Sequence, residues 1–358
     1  MKMRLAKILD AKTYTADEVA VININLSEPI SAIFIEAKPL NNGNTPTAHP
    51  VVAIPKVEIV DGSNVLHSLS GAEIQARSFY TLGKFAENVL DYINDEYCTV
   101  PLVIPFGRFI GDPLFALDPA RYKQPQLRIT VDIGAGASAC DALILDIDAW
   151  VFDEKSINPQ GFLCAKEYYK YSLVSSAIED IDLPRDRKIR GIYINSLYTG
   201  KYPYEQFNSV KISEDNDRRI PYDVKTSHYI KFLAAKHGKL YEHLAHLVDT
   251  NGIAAYVAAA YEAFAVGNAR DATAAYFAQT GGNGGTVTLK GNAAVIFHGI
   301  VSGLCPHGSV LYPFGDLNEP DDWYDTTKLG SLKLKITAGS SVGASSTCQV
   351  VTEEVEPY

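Results

Sequence analysis

The sequence lacks several features that would place the protein in a special class. No apolar run reaches the length of about 18 residues that a membrane-spanning helix needs. The first seven residues contain no apolar segment of the kind found in secretory signals. The five cysteines are odd in number and include no CxxC pair, which disfavours a zinc ribbon or a dense disulfide framework. In a reducing cytoplasm we expect buried free thiols at Cys98, Cys140, Cys164, Cys305 and Cys348.

Long basic runs are also absent. The 42 acidic and 32 basic residues give a formal net charge of −10. Neither end carries the basic arm with which a protein neutralises the phosphates of nucleic acid, so we expect no direct nucleic acid binding. The one local positive cluster consists of Lys2, Arg4 and Lys7. It fits a solvated terminus, or contact with an anionic lipid surface or an acidic partner.

What the sequence contains is mainly short alternation of apolar and polar residues. Apolar residues occupy every second position in 22–26, 127–133 and 145–151. This period of two is typical of a strand with one buried face. Clusters of Gly, Pro, Asn and Asp separate the runs at short intervals. Many short strands with turns between them favour a sandwich or barrel over alternating strands and helices.

Helical patterns are few. Residues 71–84, after Ser70, predict one short helix, and residues 228–247 and the Ala-rich 253–278 predict two more. The glycine-rich segment 281–285 (GGNGG) predicts a loop or tight turn, since glycine disfavours regular elements.

An internal repeat is the most informative feature of the sequence. Three pairs of segments match in the same order at an offset of 207 or 208 residues: 104–108 (IPFGR) with 312–316 (YPFGD), 127–130 (LRIT) with 334–337 (LKIT), and the small-residue run 134–140 with 342–348. This offset is far longer than the repeats of about 20–50 residues in solenoid proteins. It fits duplication of a whole domain.

Each copy has room for about eight strands, and eight antiparallel strands in two packed sheets form a jelly roll. We therefore predict an all-β fold with helical insertions, made of two tandem eight-stranded jelly rolls (a double jelly-roll). The polar segment 154–161 marks the boundary. The prediction is an N-terminal jelly roll over residues 1–155 and a C-terminal jelly roll over residues 156–358, with a helical insertion around 228–278.

Part of the first copy resembles a known family. Over roughly residues 55–150 the sequence is similar to the double jelly-roll major capsid proteins of icosahedral, internal-membrane-containing bacteriophages. The resemblance rests on these residues: 57–66 (VEIVDGSNVL), 69–71 (LSG), 106–108 (FGR), 112–113 (DP), 117–119 (LDP), Tyr122 and 125–127 (PQL). The second copy departs from the pattern, because Asp316 stands where Arg108 stood and the Asp-Pro pairs are missing.

The resemblance implies a structural role and not an enzyme. It implies homotrimers whose six jelly rolls form a pseudo-hexagonal capsomer, contacts with neighbouring capsomers and with penton and minor capsid proteins, and an internal lipid membrane beneath the shell. It also implies a place in the virion after synthesis in the host cytoplasm. Because lipid would separate such a shell from the genome, the missing basic arm fits this interpretation.

Candidate chemistry is sparse. Arg108 is expected to pin its loop through Asp112 or Asp118 by charge-assisted hydrogen bonds. His243 and His246 fit a metal-binding pair or a helix surface. The pairs Asp321/Asp322 and Asp146/Asp148 fit calcium ligands or, for the second pair, the solvated face of a strand. These are all the candidates, and we predict no catalytic, cofactor-binding or metal-binding residue and no cofactor.

Two other functions stay open from the residues alone. No GxSxG motif and no P-loop occurs, and the glycine loop at 281–285 lacks the Lys-Ser/Thr that a phosphate cradle needs. Carboxylate pairs for glycan hydrolysis come from separate strands and are invisible in one sequence. A two-jelly-roll hydrolase acting on glycans and a carbohydrate-binding spike protein are therefore the alternatives to a capsid protein.

Overall fold

The computed structural model describes residues 2–138, 140–153, 156–272 and 277–358. These residues form 24 β-strands and three α-helices. No helix among them is long and apolar enough to cross a membrane. Three parts of the sequence predictions lie outside the described residues: residue 139 of the small-residue run 134–140, residues 154–155 of the boundary segment, and residues 273–276 of the third helix.

The first half of the chain forms one eight-stranded sandwich. Its sheets have the strand orders β1-β9-β3-β7 and β2-β8-β4-β5. The strands, together with the helix and the short strand inserted between β5 and β7, are β1 (Met3–Tyr14), β2 (Glu18–Asn23), β3 (Ile30–Leu40), β4 (Lys56–Asp61), β5 (Asn64–Leu69), α1 (Gly71–Leu82), β6 (Val89–Tyr92), β7 (Val100–Pro105), β8 (Pro125–Val131) and β9 (Ala142–Phe152).

The alternation seen in the sequence explains these strands. In β8, the apolar residues Leu127, Ile129 and Val131 are buried, while the polar residues between them are half-buried. In β9 the same pattern runs from Leu143 to Val151. Because successive side chains point to opposite faces of a sheet, every second residue joins the core. The buried residues of both sheets belong to one hydrophobic cluster.

The second half repeats this topology. Its sheets have the orders β10-β24-β12-β21 and β11-β23-β13-β14, in which each strand holds the same place as its counterpart in the first roll. The elements up to the insertion are β10 (Gly161–Ser172), β11 (Ile178–Asp182), β12 (Lys188–Asn195), α2 (Pro203–Gln206), β13 (Phe207–Glu214), β14 (Arg219–Lys225) and α3 (Thr226–His237). The last elements of the roll are β21 (Ser309–Pro313), the short β22 (Tyr324–Asp325), β23 (Leu332–Ala338) and β24 (Thr347–Pro357).

This topology confirms the predicted double jelly-roll and explains the repeat. The three matched pairs of segments fall on the end of β7 and β21, on β8 and β23, and on the approach to β9 and β24. The helices α1 and α3 also correspond, because each has 12 residues and directly follows the equivalent strand, β5 or β14. The predicted helix at 71–84 is therefore confirmed as α1.

The two rolls stand side by side and point the same way. Strands β5 and β10 meet in parallel, where Ser68 lies opposite Lys166, and join sheets of both rolls into one nine-stranded sheet. The start of β1 and the end of β24 lie at one end of the molecule. There Met3 pairs with Phe152, and Gly161 pairs with Pro357. We call this the terminal end. At the opposite end, called the insertion end, both rolls carry the segments inserted before β7 and β21.

The second insertion is mostly β-structure, so the predicted helical insertion around 228–278 is wrong in its secondary structure. Only α3 is helical. It ends at Gly238, and the segment continues as β15 (Leu240–Val248), β16 (Ile253–Tyr256), β17 (Ala259–Ala269), β18 (Phe277–Asn283), β19 (Thr286–Gly291) and β20 (Val295–Pro306). These strands form the sheets β17-β20-β15-β6 and β16-β19-β18.

Tertiary contacts decide this outcome. The alanines of β17 favour a helix locally, but helix propensity amounts to less than about 1 kcal/mol per residue, and pairing with β20 over eight registered positions overrides it. Small residues permit that pairing to be close: a Cβ atom on Gly299 would lie 2.2 Å from the carbonyl oxygen of Val266. The predicted glycine turn is confirmed at Gly284 and Gly285, which connect β18 to β19 with φ of 63° and 74°, while residues 281–283 belong to β18.

Candidate functional site

A network of buried charged and polar side chains lies in the seam between the two rolls. Helix α1 occupies this seam, and nine of its 12 residues are buried. Ser70 begins the helix with a capping box, in which its hydroxyl accepts from the Glu73 N–H and the Glu73 carboxylate accepts from the Ser70 N–H. This fixed start sets the rotation of the helix and directs Arg77 toward the second roll.

Arg77 binds a carboxylate that the second roll holds in its interior. Its Nε donates to Glu353 Oε1 at 2.7 Å, and Arg190 Nη1 donates to Glu353 Oε2 at 2.8 Å. Tyr193 adds a hydroxyl donor at 3.2 Å. Both arginines and the glutamate are buried. Burial alone would raise the pKa of Glu353, but the guanidinium groups of Arg190 and Arg77 outweigh it and lower that pKa.

The arrangement is a joint and not a reactive centre. A carboxylate held by two guanidinium groups is a weak base, and its surroundings are closed. Removing one partner of a buried ion pair costs about 3–5 kcal/mol, because the remaining charge stays buried. Since Arg77 comes from the first roll and Glu353 and Arg190 from the second, this cost opposes any relative movement of the rolls.

A second buried network ties the insertions to the seam. Glu242 of β15 accepts from Asn88 Nδ2 at 2.7 Å and from the Ala258 N–H at 2.6 Å, and its Oε1 lies 3.0 Å from His49 Nε2. Gln75 of α1 donates to Asn88 Oδ1 at 2.7 Å. The network therefore links the first roll, α1 and both insertions through hydrogen bonds.

The predicted loop staple is confirmed for Asp112 and wrong for Asp118. Arg108 donates to the two carboxylate oxygens of Asp112 at 2.7 and 2.9 Å. Burial would raise the pKa of Asp112, but the hydrogen bonds from Arg108 and Leu114 outweigh it and lower that pKa. Asp118 instead caps the short 3-10 turn after it, through the Ala120 N–H. Arg108 also donates to the Asn318 carbonyl at 2.8 Å, which connects the two rolls at the terminal end.

The positive cluster near the start of the chain is largely neutralised within the molecule. Arg4 pairs with Glu28 and Asp153 at 2.9 and 3.0 Å. Lys7 pairs with Asp146 and Asp148 at 2.7 and 3.0 Å. The structure thus places these two aspartates on the solvated face of β9, as one of the two interpretations predicted, with a lysine between them. Lys2 forms no ion pair with the described residues.

The histidine pair does not form a metal site. His243 and His246 lie on β15, where residues three apart point to opposite faces, so His243 is exposed and His246 is buried. The two histidines were expected on one face because the sequence predicted a helix here, and the segment is a strand. Burial lowers the pKa of His246 to about 4.

Asp321 and Asp322, the other candidate calcium ligands, do not belong to a cluster of metal-binding side chains. The Asp322 carboxylate accepts from the Asp316 N–H at 2.7 Å. Asp321 lines a cavity of about 660 Å³ at the terminal end, whose floor includes the stacked rings of Phe115 and Trp323. Within the ranges given above, no group of three or more His, Cys, Asp or Glu side chains is arranged to hold a metal ion. All five cysteines are buried free thiols, as predicted.

Sequence reasoning missed the residues of the seam. Arg190 interrupts the apolar residues of β12, whereas Glu353 lies in a mostly polar stretch of β24, residues 352–356 (TEEVE). A charged residue inside a run that predicts a buried strand is a signal for a buried ion pair. The partner Arg77 gives no such signal, because a charge on an amphipathic helix is ordinarily solvated.

Comparisons with known proteins agree with this fold. No family model matches the chain, and no curated protein matches it. Among solved structures, the STIV MCP has a TM-score of 0.62 at 10% identity, over 100% of this chain and 98% of that one. The major capsid protein P2 from bacteriophage PM2 has a TM-score of 0.56 at 10% identity, over 99% and 98% of the chains.

A third solved structure is similar over nearly the whole chain. PBCV-1 VP54, fitted into a cryo-EM reconstruction of the virophage Sputnik, has a TM-score of 0.60 at 12% identity, over 99% of this chain and 93% of that one. At these identities the likeness concerns the fold. The chain has the double jelly-roll fold of these capsid proteins along its whole length.

Proposed function

We propose that the protein is a viral major capsid protein that forms homotrimeric, pseudo-hexagonal capsomers of an icosahedral shell. One observation carries the proposal: two eight-stranded rolls of the same topology, standing parallel, are locked together by the buried Arg77–Glu353–Arg190 joint. Three such subunits present six similar rolls around one axis. A single chain can then occupy the sixfold positions of a lattice, provided that the two rolls keep a fixed geometry.

The boundary between the two units is part of the proposal. We place the N-terminal jelly roll in residues 1–155 and the C-terminal jelly roll in residues 156–358, which puts the boundary between β9 and β10. The insertion of the second roll then occupies the chain between β14 and β21. The internal repeat and the equal strand orders support this division.

Exposed apolar side chains support self-association. On the outward face of the insertion sheet β17-β20-β15-β6, Val266 lies opposite Ile300 across the strands, and they are 62% and 44% exposed. Val19 and Val21 are similarly exposed on the edge strand β2. Contiguous apolar residues on a surface are typical of protein contacts, and interfaces of stable assemblies bury on the order of 1,000 Å² or more.

The wider setting follows from the same proposal. The shell contains penton and minor capsid proteins as partners, the protein is made in the host cytoplasm, and it works without catalysis or a cofactor. An internal membrane lies beneath the shell, and the chain makes no direct contact with nucleic acid. Contact of Lys2, Arg4 and Lys7 with that membrane would centre on Lys2, since Arg4 and Lys7 hold carboxylates of the chain.

Light scattering coupled to gel filtration, followed by electron microscopy of the peak, tests the proposal. We expect a mass three times the 39.1 kDa of one chain and particles with a six-lobed outline. A homogeneous monomer at micromolar concentration that hydrolyses a glycan polymer, or one that binds glycans without assembling, would reject the capsid function in favour of the alternatives.

A further inference from the structure

Each roll has a free edge that is equivalent to one side of the contact between the rolls. Within the chain, β5 of the first roll meets β10 of the second, and helix α1, which follows β5, occupies the seam. The equivalent strands at the free edges are β14, which α3 follows, and β1. Among the described residues, β14 and β1 are the last strands of their sheets. A second copy can therefore repeat the contact, with β14 and α3 of one chain against β1 of the next.

A β-bulge at the same place in both rolls fixes which residues correspond, since bulges are specific features of a fold. In the first roll, β3 bulges at Ser31 immediately before the position that pairs with Trp150 of β9. In the second roll, β12 bulges at Arg190 immediately before the position that pairs with Glu353 of β24. Trp150 therefore holds the place of Glu353, and Ser31 holds the place of Arg190.

The neighbouring strands agree with this correspondence. In β1 the partner of Trp150 is Leu5, and in β10 the partner of Glu353 is Ala165. In both strands the register then shifts between the second and the fourth residue after this partner. Leu5 therefore corresponds to Ala165. Since paired residues of neighbouring strands lie on the same face of a sheet, Leu5 and Trp150 share the outward face of the first roll.

The equivalent places differ in burial. Glu353 and Ala165 are fully buried, whereas Leu5 is 61% exposed and Trp150 is half-buried. The ring of Phe34 lies beside that of Trp150, with the ring centroids 5.8 Å apart. We call Leu5, Phe34 and Trp150 the apolar patch. The first roll thus exposes, as an apolar patch, the face that the second roll buries against its neighbour.

Helix α3 carries an apolar residue that matches this patch. Arg77 is the seventh residue of α1, and Phe232 is the seventh residue of α3. Phe232 is 60% exposed. The charge is thus absent on both sides together, because Phe232 and Trp150 stand at the free edges where the intrachain joint has an arginine and a glutamate. Apolar and aromatic residues on both sides are typical of the core of a protein interface, from which charged residues are depleted.

The charged residues beside the patch are already paired. Lys7, two residues after Leu5 on the same strand, binds Asp146 and Asp148 at 2.7 and 3.0 Å. Asp148 in turn precedes Trp150 by two residues on the outward face of β9. Because these charges compensate one another, an apolar side chain is the complementary partner for the patch.

We propose that the apolar patch of one chain binds helix α3 of a second copy, with Phe232 packed against Leu5 and Trp150. The contact repeats between chains the geometry of the intrachain joint, and three copies close it into a ring. The inference rests on the proposed capsid function, because it specifies the contact within the trimer.

Single charge substitutions test this contact. Phe232→Arg and Trp150→Glu each place an unpaired charge in an apolar contact, and each should raise the dissociation constant of the trimer by about a hundredfold or more. Sedimentation velocity over a dilution series measures this constant, and circular dichroism checks that each variant is folded. Because Phe232 is exposed in a single chain, Phe232→Arg should act on association and leave the unfolding of separated chains unchanged.

A third substitution makes the test independent of the folding of Trp150→Glu. Leu5 is also exposed in a single chain, so Leu5→Glu should leave the fold intact. If Leu5 lies in the contact, this variant should weaken the trimer as Trp150→Glu does.

Combining two substitutions gives a sharper test. Phe232→Arg with Trp150→Glu recreates at the free edges the arginine and the glutamate of the intrachain joint, so it should regain at least about tenfold of the lost association. Phe232→Arg with Trp150→Arg is the matched control. Two like charges meet in it, and it should regain nothing.

The outcomes separate the contact from the proposed function. A parent protein that remains monomeric would reject the capsid trimer and the contact together. A parent trimer that tolerates Phe232→Arg and Leu5→Glu would overturn the contact alone and leave the capsid function standing. Equal recovery in the two double variants, or recovery in neither, would overturn the pairing of α3 with the apolar patch.

Discussion

Helices α1 and α3 hold the same place in the two rolls but have different surroundings. Both have 12 residues and both directly follow the equivalent strand. In α1 nine residues are buried, including Arg77, whereas in α3 four are buried and Phe232 is 60% exposed. Helix α1 has a capping box at Ser70, while Lys225 at the start of α3 makes no side-chain capping bond.

The difference shows how a duplicated module became asymmetric. The first copy of the helix lies between the rolls, so its residues had to supply partners for the interior of the second roll. The second copy lies at the outside of the molecule and needs only one apolar face. Position in the assembly of the two rolls, more than position within a roll, determined the residues of each helix.

The largest contrast should come from the aromatic residues of the two helices. Phe79→Ala removes a buried side chain of α1 and should lower the free energy of unfolding by about 3–5 kcal/mol. Phe232→Ala, the matched change on the exposed face of α3, should alter it by less than about 0.5 kcal/mol. Urea denaturation at fixed protein concentration measures both. Equal losses would show that α3 is covered in the folded protein.

Removing the charge at the centre of the joint should have a similar effect. Glu353→Gln leaves Arg77 and Arg190 buried without a counter-charge and should cost about 3–5 kcal/mol. Glu354→Gln is the matched control one residue later, where the carboxylate is half-buried and its pKa is raised by burial. The control should be nearly neutral. Thermal melting measures both variants. Equal melting temperatures would show that the Arg77–Glu353–Arg190 ion pairs do not hold the two rolls together.

Acid should weaken the second insertion through His246. Burial lowers its pKa from the usual 6.5 to about 4, so between these pH values the unfolded chain binds a proton that the folded chain does not. Stability is therefore full above pH 6.5, falls as the pH drops toward 4, and loses about 3 kcal/mol from this residue.

The variant His246→Phe should remove that part of the pH dependence while keeping the edge-on ring contact with Tyr92. His243→Phe, on the exposed face of the same strand, serves as the control and should keep the parent's pH dependence. Unfolding measured at pH 7 and pH 4.5 gives the comparison. An unchanged slope in His246→Phe would contradict the assigned burial.

The smallest effect concerns the helix starts. Ser70→Ala removes the cap of α1 and should cost about 1 kcal/mol. Lys225→Ala at the equivalent position of α3 removes no capping bond and should be neutral, while Lys225→Ser should add a few tenths of a kcal/mol. The melting temperatures of the three variants, compared with that of the parent, measure these differences in stability. A neutral Ser70→Ala would mean that packing alone holds the start of α1.

Several parts of this structure could be predicted from the sequence. The strands around 127–133 and 145–151 followed from their alternation, and α1 followed from its capping residue and apolar spacing. The sequence also predicted that Arg108 pins its loop, but it left Asp112 and Asp118 open as the partner, and the structure selects Asp112. The second insertion could not be predicted in this way, because its alanines and histidines in 240–269 suit a helix locally and become strands only by pairing with β20 and β6.

The sequence by itself determined the number and kind of the modules, because the alternation of apolar residues and the internal repeat can both be recognised in the order of the residues alone. The tertiary structure alone decided which buried charges meet. Arg77 and Glu353 are 276 residues apart, and nothing near either residue in the chain specifies the other. Their pairing depends on two rolls packing side by side in the same direction, and that is a property of the folded surfaces.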